Sequence, residues 1–184
     1  MKVYGGSSWA AVAPTATNAS DITTGTLADA RLSSNVTLND GTQTLTNKTI
    51  DSATITKHVQ ETATVSATAA TGTINYDVKT QSILYYTTDA SGNFTVNVRG
   101  DVSTSLDSIM DTGDVITVVF LVTNGGTAYY NNTFQIDGSG VTPEWQGGSA
   151  PSGGNTNSID AYTYSIIKTG SATFTALAAQ TQYA

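Results

Sequence analysis

Residues able to do chemistry are few in this chain, and their spacing limits what can be asked of them. His58 is the sole histidine, and Glu61 stands three positions on. A carboxylate that orients an imidazole can serve a Ser-His-acid relay, but no Gly-x-Ser-x-Gly elbow supplies the nucleophile. One histidine cannot build a His-based metal cluster. The pair reads as polar residues at a junction between segments. Asp111 and Asp114 flank Gly113; their oxygens would suit calcium, yet the EF-hand spacing is missing, and an Asx turn accounts for them. Asp40-Gly41 and Asp137-Gly138 are turn dipeptides. Asn18, Asn35, Asn47, Asn93 and Asn131 open Asn-x-Ser/Thr triplets, which chance produces in a Thr-rich chain. Glycoside hydrolysis needs two carboxylates facing across a groove, and the carboxylates here are sparse and sit mostly in turns. Aromatic rings are the remaining resource. Tyr85, Tyr86, Tyr129, Tyr130, Trp145 and Tyr162 can stack on sugar faces, and all but Tyr162 are kept as candidate glycan-binding residues. The expectation is a chain that is not an enzyme, with no cofactor and no metal.

The elements that must position these residues follow from composition. Charged residues make up 11% of the 184, against about 25% in an ordinary domain. Thr, Ser, Gly, Asn and Ala take their place. Disordered chains usually become polar through Glu, Lys and Pro, whereas Thr is β-branched and favours a pleated, half-buried surface. The chain therefore reads as all-β. A net charge of −7, with seven basic residues scattered singly, opposes binding to nucleic acid, which needs clustered Lys and Arg. No window approaches the roughly 18 apolar residues of a membrane span, and MKVYGGSSW lacks the apolar region of a secretory signal. With no Cys, stability must come from packing, ladder hydrogen bonds and oligomerisation.

Residues 1–70 hold few large side chains. Burying a Val or Leu stabilises by only about 1.5–3 kcal/mol, while ordering each residue costs about 1–2 kcal/mol, so this part needs another surface to cover it. Residues 1–19 form a predicted N-terminal attachment peptide. There Lys2–Tyr4 and Trp9 suggest two short strands about a Gly-Gly turn, with Tyr4 and Trp9 as docking residues. Residues 20–70 form a shaft or linker of isolated apolar residues in a Thr/Asn matrix. Ile22, Leu27, Val36, Leu38, Leu45, Ile50 and Ile55 are the candidate trimer-interface residues.

From residue 71 to 184 the pattern is that of a folded domain. Ile83–Tyr86, Phe94–Val98, Ala128–Tyr130, Phe134–Ile136, Tyr162–Ile167 and Ala172–Leu177 read as strands. Val115–Val122 is almost continuously apolar, as in a strand buried on both faces. Ser103–Met110 is the one predicted helix, capped by Ser103 or Ser105 and ended by Gly113. Residues 147–158 read as a long flexible surface loop. The predicted inward set is Leu84, Phe94, Val96, Val98, Val118, Phe120, Val122, Phe134, Ile166 and Phe174. Many short strands at this spacing signal a β-sandwich, most simply a jelly roll.

Two stretches carry a resemblance. SDITTGTLADARLSSNVT (Ser20–Thr37) with LTNKTIDSATI (Leu45–Ile55) resembles linker and shaft repeats of phage fibres. The stretch from ILYYTTDASGNFTVNVRG through VITVVFLVTNGGTAYY to TGSATFTALAAQTQYA resembles a C-terminal domain of cyanophage-type virion proteins. The resemblance implies a structural virion role, a homotrimer and a place on the virion surface, with capsid or tail proteins as neighbours and no catalytic residues to carry over. Long tail fibres carry a sizeable attachment domain, whereas little precedes the shaft-like stretch here, so attachment by a short peptide is expected. That suits a capsid fibre or cement-type decoration at least as well as a tail fibre. The alternative is a receptor-binding tip that recognises host surface glycan.

Overall fold

The computed structural model describes residues 2–4, 9–11 and 50–184. The chain divides into two compact units, Met1–Thr54 and Ile55–Ala184. In the first, strands β1 (Lys2–Tyr4) and β2 (Trp9–Ala11) pair antiparallel, with Tyr4 opposite Trp9 in register. The two short strands foreseen around Gly5-Gly6 are present.

The second unit is all-β. Its strands are β3 (Ala63–Ala69), β4 (Gly72–Asp77), β5 (Ile83–Thr88), β6 (Phe94–Arg99), β7 (Val115–Asn124), β8 (Asn131–Ile136), β9 (Ser139–Gly140), β10 (Glu144–Trp145), β11 (Ser158–Gly170) and β12 (Thr173–Tyr183). They build a six-stranded sheet in the order β10-β12-β11-β7-β5-β3 and a four-stranded sheet in the order β4-β6-β8-β9. β3 lies upstream of residue 71, the expected start of the domain, and is hydrogen-bonded to β5.

The two sheets pack face to face. Phe94 of the small sheet meets Phe120 of the large one at 5.4 Å between ring centres, and Phe134 stacks on Tyr164 at 4.4 Å. Nine of the ten predicted inward residues are buried, and Phe174 is half-buried against the core. The alternation works because successive side chains of a strand point to opposite faces.

The strand succession differs from the antiparallel neighbours of a jelly roll. From β3 to β8 the chain alternates between the sheets, so β3, β5 and β7 lie parallel in one and β4, β6 and β8 lie parallel in the other. Parallel neighbours need a crossover, and here the crossover is a strand of the facing sheet. Equivalent residues consequently stack: Ile74, Val96 and Phe134 inward, Thr73, Thr95 and Thr133 outward. Asn97 donates to Asn75 at 2.8 Å within the same outer ladder. Two long antiparallel strands, β11 and β12, then extend the large sheet beyond β7.

Three further expectations are corrected. Ser103–Met110 is a series of turns and not a helix. The Asp137 carboxylate takes the backbone N–H groups of Leu106 (2.6 Å) and Asp107 (3.0 Å), and the Lys168 ammonium takes the carbonyls of Asp107 (2.6 Å) and Met110 (2.8 Å). Those side chains satisfy backbone groups that a helix would otherwise pair internally. Ala128–Tyr130 is loop rather than strand, and β8 begins at Asn131. The 147–158 segment is pinned at several points: Gly153 O accepts from Gln180 Nε2 at 3.0 Å, and Asn155 N–H donates to Asp160 Oδ2 at 3.1 Å. The Asp137-Gly138 turn is as read. Both residues have positive φ (51° and 79°), as a two-residue hairpin turn requires.

Candidate functional site

The five aromatic candidates separate in space. Tyr86 points inward and meets Phe120 edge-on at 5.5 Å, so it is core. Tyr85 is half-buried on the opposite face of β5. Tyr129 packs partly against the core, its N–H held by Asn124 Oδ1 at 3.0 Å. Tyr130 and Trp145 are brought together. They line one groove of about 510 Å³ with Asn131, Asn132, Thr133 and Phe134 of β8, the Gly140–Pro143 connection, and Ala150 and Pro151.

The groove owes its shape to a defect in the ladder. Phe94 pairs with Asn131 but Thr95 pairs with Thr133, so Asn132 is an extra residue on β8. A bulge of this kind re-aims a side chain, and Asn132 is exposed on the groove wall. Asn131 beside it is buried and fully engaged. It donates to Phe94 O (3.0 Å) and Thr133 O (2.7 Å) and accepts from the Tyr164 hydroxyl at 3.1 Å. Tyr164 also meets the Trp145 ring edge-on at 6.1 Å, and burial pushes its phenol well above the usual tyrosine range. One buried tyrosine therefore braces both walls. The sequence marked Tyr130 and Trp145; it gave no sign of the bulge that adds Asn132.

A second polar cluster lies under the 147–158 segment. Asp160 is fully buried, and its Oδ2 accepts from Asn155 N–H, Asn124 Nδ2 and Gln180 Nε2. Its Oδ1 has no partner, and burial raises its pKa. Gly154 packs so closely here that a Cβ would strike Tyr129 O.

The other candidates are placed as follows. His58 and Glu61 are exposed and outside any strand. Asp111 and Asp114 form a turn in which Asp114 Oδ2 accepts the Asp111 N–H at 2.8 Å. Among the described residues no three His, Cys, Asp or Glu side chains converge as a metal site. Of the predicted trimer-interface residues, Ile50 (67% exposed) and Ile55 (63%) are open to solvent. Ile22, Leu27, Val36, Leu38 and Leu45 lie outside the described residues, as do the side chains of Tyr4 and Trp9.

The large sheet has an outer face that the sequence did not single out. β7 is buried on one face only: Val118, Phe120 and Val122 point into the core, Val119 and Leu121 are half-buried, and Val115 is 57% exposed. Register carries the same face across the neighbouring strands. One row runs Ala179, Thr163, Val119, Ile83, Ala63, and the next runs Thr181, Ala161, Leu121, Tyr85, Val65. Neither row holds a charged residue. No family model, curated protein or solved structure matches the chain.

Proposed function

We propose that this chain is a structural component of a bacteriophage virion, a homotrimeric fibre or capsid-decoration protein on the particle surface, without catalytic activity. The observation that carries the assembly part is the outer face of the large sheet. A run as apolar as Val115–Val122 belongs in a strand covered on both sides, yet among the described residues only one side is covered. In this reading the second cover comes from another molecule.

A further copy of the same chain fits best. With a net charge of −7, copies repel through most approaches, and they meet with least repulsion through a face whose two central rows hold no charged residue, with Glu144 standing at its β10 edge beside Leu177. The area is adequate. β12, β11, β7, β5 and β3, of 11, 13, 10, 6 and 7 residues and about 4.8 Å apart, sweep roughly 750 Å², close to the ~800 Å² per partner of a specific interface. Three such faces turned to a common axis close a triangular prism and leave none uncovered. The phage assignment is supported by the shaft-like stretches at Ser20–Thr37 and Leu45–Ile55 and by the resemblance of the C-terminal part.

Quantitative mass spectrometry of purified particles tests the reading. The chain should co-purify with infectious particles in a copy number divisible by three. Its presence in the lysate but not in washed particles would overturn the virion role.

A further inference from the structure

We propose that the groove between Tyr130 and Trp145 is a binding site for a neutral oligosaccharide, a recognition function beyond the structural role. Three features converge on it. The first is a pair of aromatic rings on one cavity, both partly open, and Trp145 is backed by Tyr164, which itself stacks on Phe134. A ring held from behind loses little freedom on binding, which is what pre-organisation requires. The apolar C–H faces of a pyranose lie well against such rings.

The second feature is the polar complement. Asn132, Thr133 and Thr142 offer both donors and acceptors on the same wall. Asn132 is there only because β8 carries one residue more than its partner strand. Its carboxamide has no hydrogen-bond partner among the described residues, whereas the adjacent Asn131 is fully used in holding the wall. Hydroxyls that alternate donor and acceptor around a sugar ring match an amide and two threonines.

The third feature is charge. The chain has 14 acidic and 7 basic residues, but no Asp, Glu, Lys, Arg or His lines this groove. Sialylated, uronic or sulfated sugars would find no cation to answer them, so the ligand is neutral. The volume of about 510 Å³ lies within the range of small-ligand sites and accommodates a short oligosaccharide. A proline-rich peptide is the rival occupant, because aromatic grooves also hold extended Pro segments. The Asn and Thr lining favours hydroxyl ligands over it.

The test uses the full chain carrying Trp9→Phe, so that Trp145 is the sole fluorescent indole. Titrations employ maltotetraose, tetra-N-acetylchitotetraose, mannotetraose and galactotetraose, with a sialylated tetrasaccharide and a decaproline peptide as contrasts. At least one neutral tetrasaccharide should change the Trp145 emission saturably and give saturation-transfer signals. Asn132→Ala and Tyr130→Ala should weaken that binding at least ten-fold. Asn132 is exposed, so its variant should keep the parent melting temperature. The proposal is overturned by the absence of binding of every neutral sugar up to millimolar concentration. Equal affinity in Asn132→Ala, or saturable binding of only the sialylated sugar or the peptide, also overturns it.

Discussion

Replacing Lys168 by Met tests how the stretch between β6 and β7 is held. Lys168 lies on β11 at 8% exposure. Its ammonium donates to Asp107 Oδ1 (2.7 Å), Asp107 O (2.6 Å) and Met110 O (2.8 Å), which uses all three of its protons. Methionine preserves the stem and removes the donors. Two main-chain carbonyls then lose their partner, and leaving a buried acceptor unsatisfied costs about 1–3 kcal/mol each. The Asp107 side chain is 32% exposed and keeps the Ala172 N–H at 2.8 Å, so it rehydrates and adds little. The expected loss is about 2–6 kcal/mol, a large part of the 5–15 kcal/mol available to a domain. Urea unfolding at pH 7 and fixed chain concentration should show a lower midpoint with an unchanged slope. Amide exchange at Leu106–Met110 should accelerate more than in β7. A change below about 1 kcal/mol, with exchange unaltered there, would refute the view that this ammonium organises the turns.

Other outcomes follow from the same structure. Phe120→Ala empties a fully buried site ringed by Tyr86 and Phe94, and should destabilise by about 3–5 kcal/mol in urea unfolding. Gly154→Ala drives a methyl into Tyr129 O and the Asn124 and Asp160 side chains, so the melting temperature should fall by the equivalent of about 1–3 kcal/mol. Burial raises the Asp160 pKa, so the folded chain holds this proton more tightly than the unfolded one. That contribution is fully present below the unfolded carboxylate pKa of roughly 3.9 and is lost as pH rises through the folded value. Asp160→Asn should therefore gain stability relative to the parent as pH increases above about 4, and parallel stability–pH curves would contradict this. Asp107 has the opposite sign. The Lys168 ammonium beside it lowers its pKa, so its contribution is present above the unfolded carboxylate pKa and fades as pH falls through the folded one.

Inward residues were legible because alternation is a local property. Phe94-Thr-Val96-Asn-Val98 names its own core face, and so does β7 from Val118 to Val122. Strand β3 was not foreseen because Ala63–Ala69 has Val65 as its sole large residue, and that residue is 63% exposed. The helix expected over Ser103–Met110 rested on the spacing of Leu106, Ile109 and Met110, but Ile109 is 44% exposed while Leu106 and Met110 are buried in the core. What decides the backbone there is Lys168 and Asp137, more than 25 residues away along the chain. Parallel order has the same kind of cause, since no local pattern says which strand lies beside which. In the groove, Tyr130 and Trp145 were visible as residue types, whereas the bulge at Asn132 exists only once β6 and β8 are in register.

Self-association through the apolar outer face of the large sheet is the central claim. Sedimentation equilibrium of the full chain and of Thr163→Glu tests it most directly, because Thr163 lies in the middle of that face and contributes nothing to the core. The parent should sediment at three times the chain mass of 19.0 kDa. The variant should sediment as a monomer with unchanged β circular dichroism, because it places a repelling carboxylate at every contact. A parent that remains monomeric at high concentration, or a variant that stays trimeric, would contradict the account.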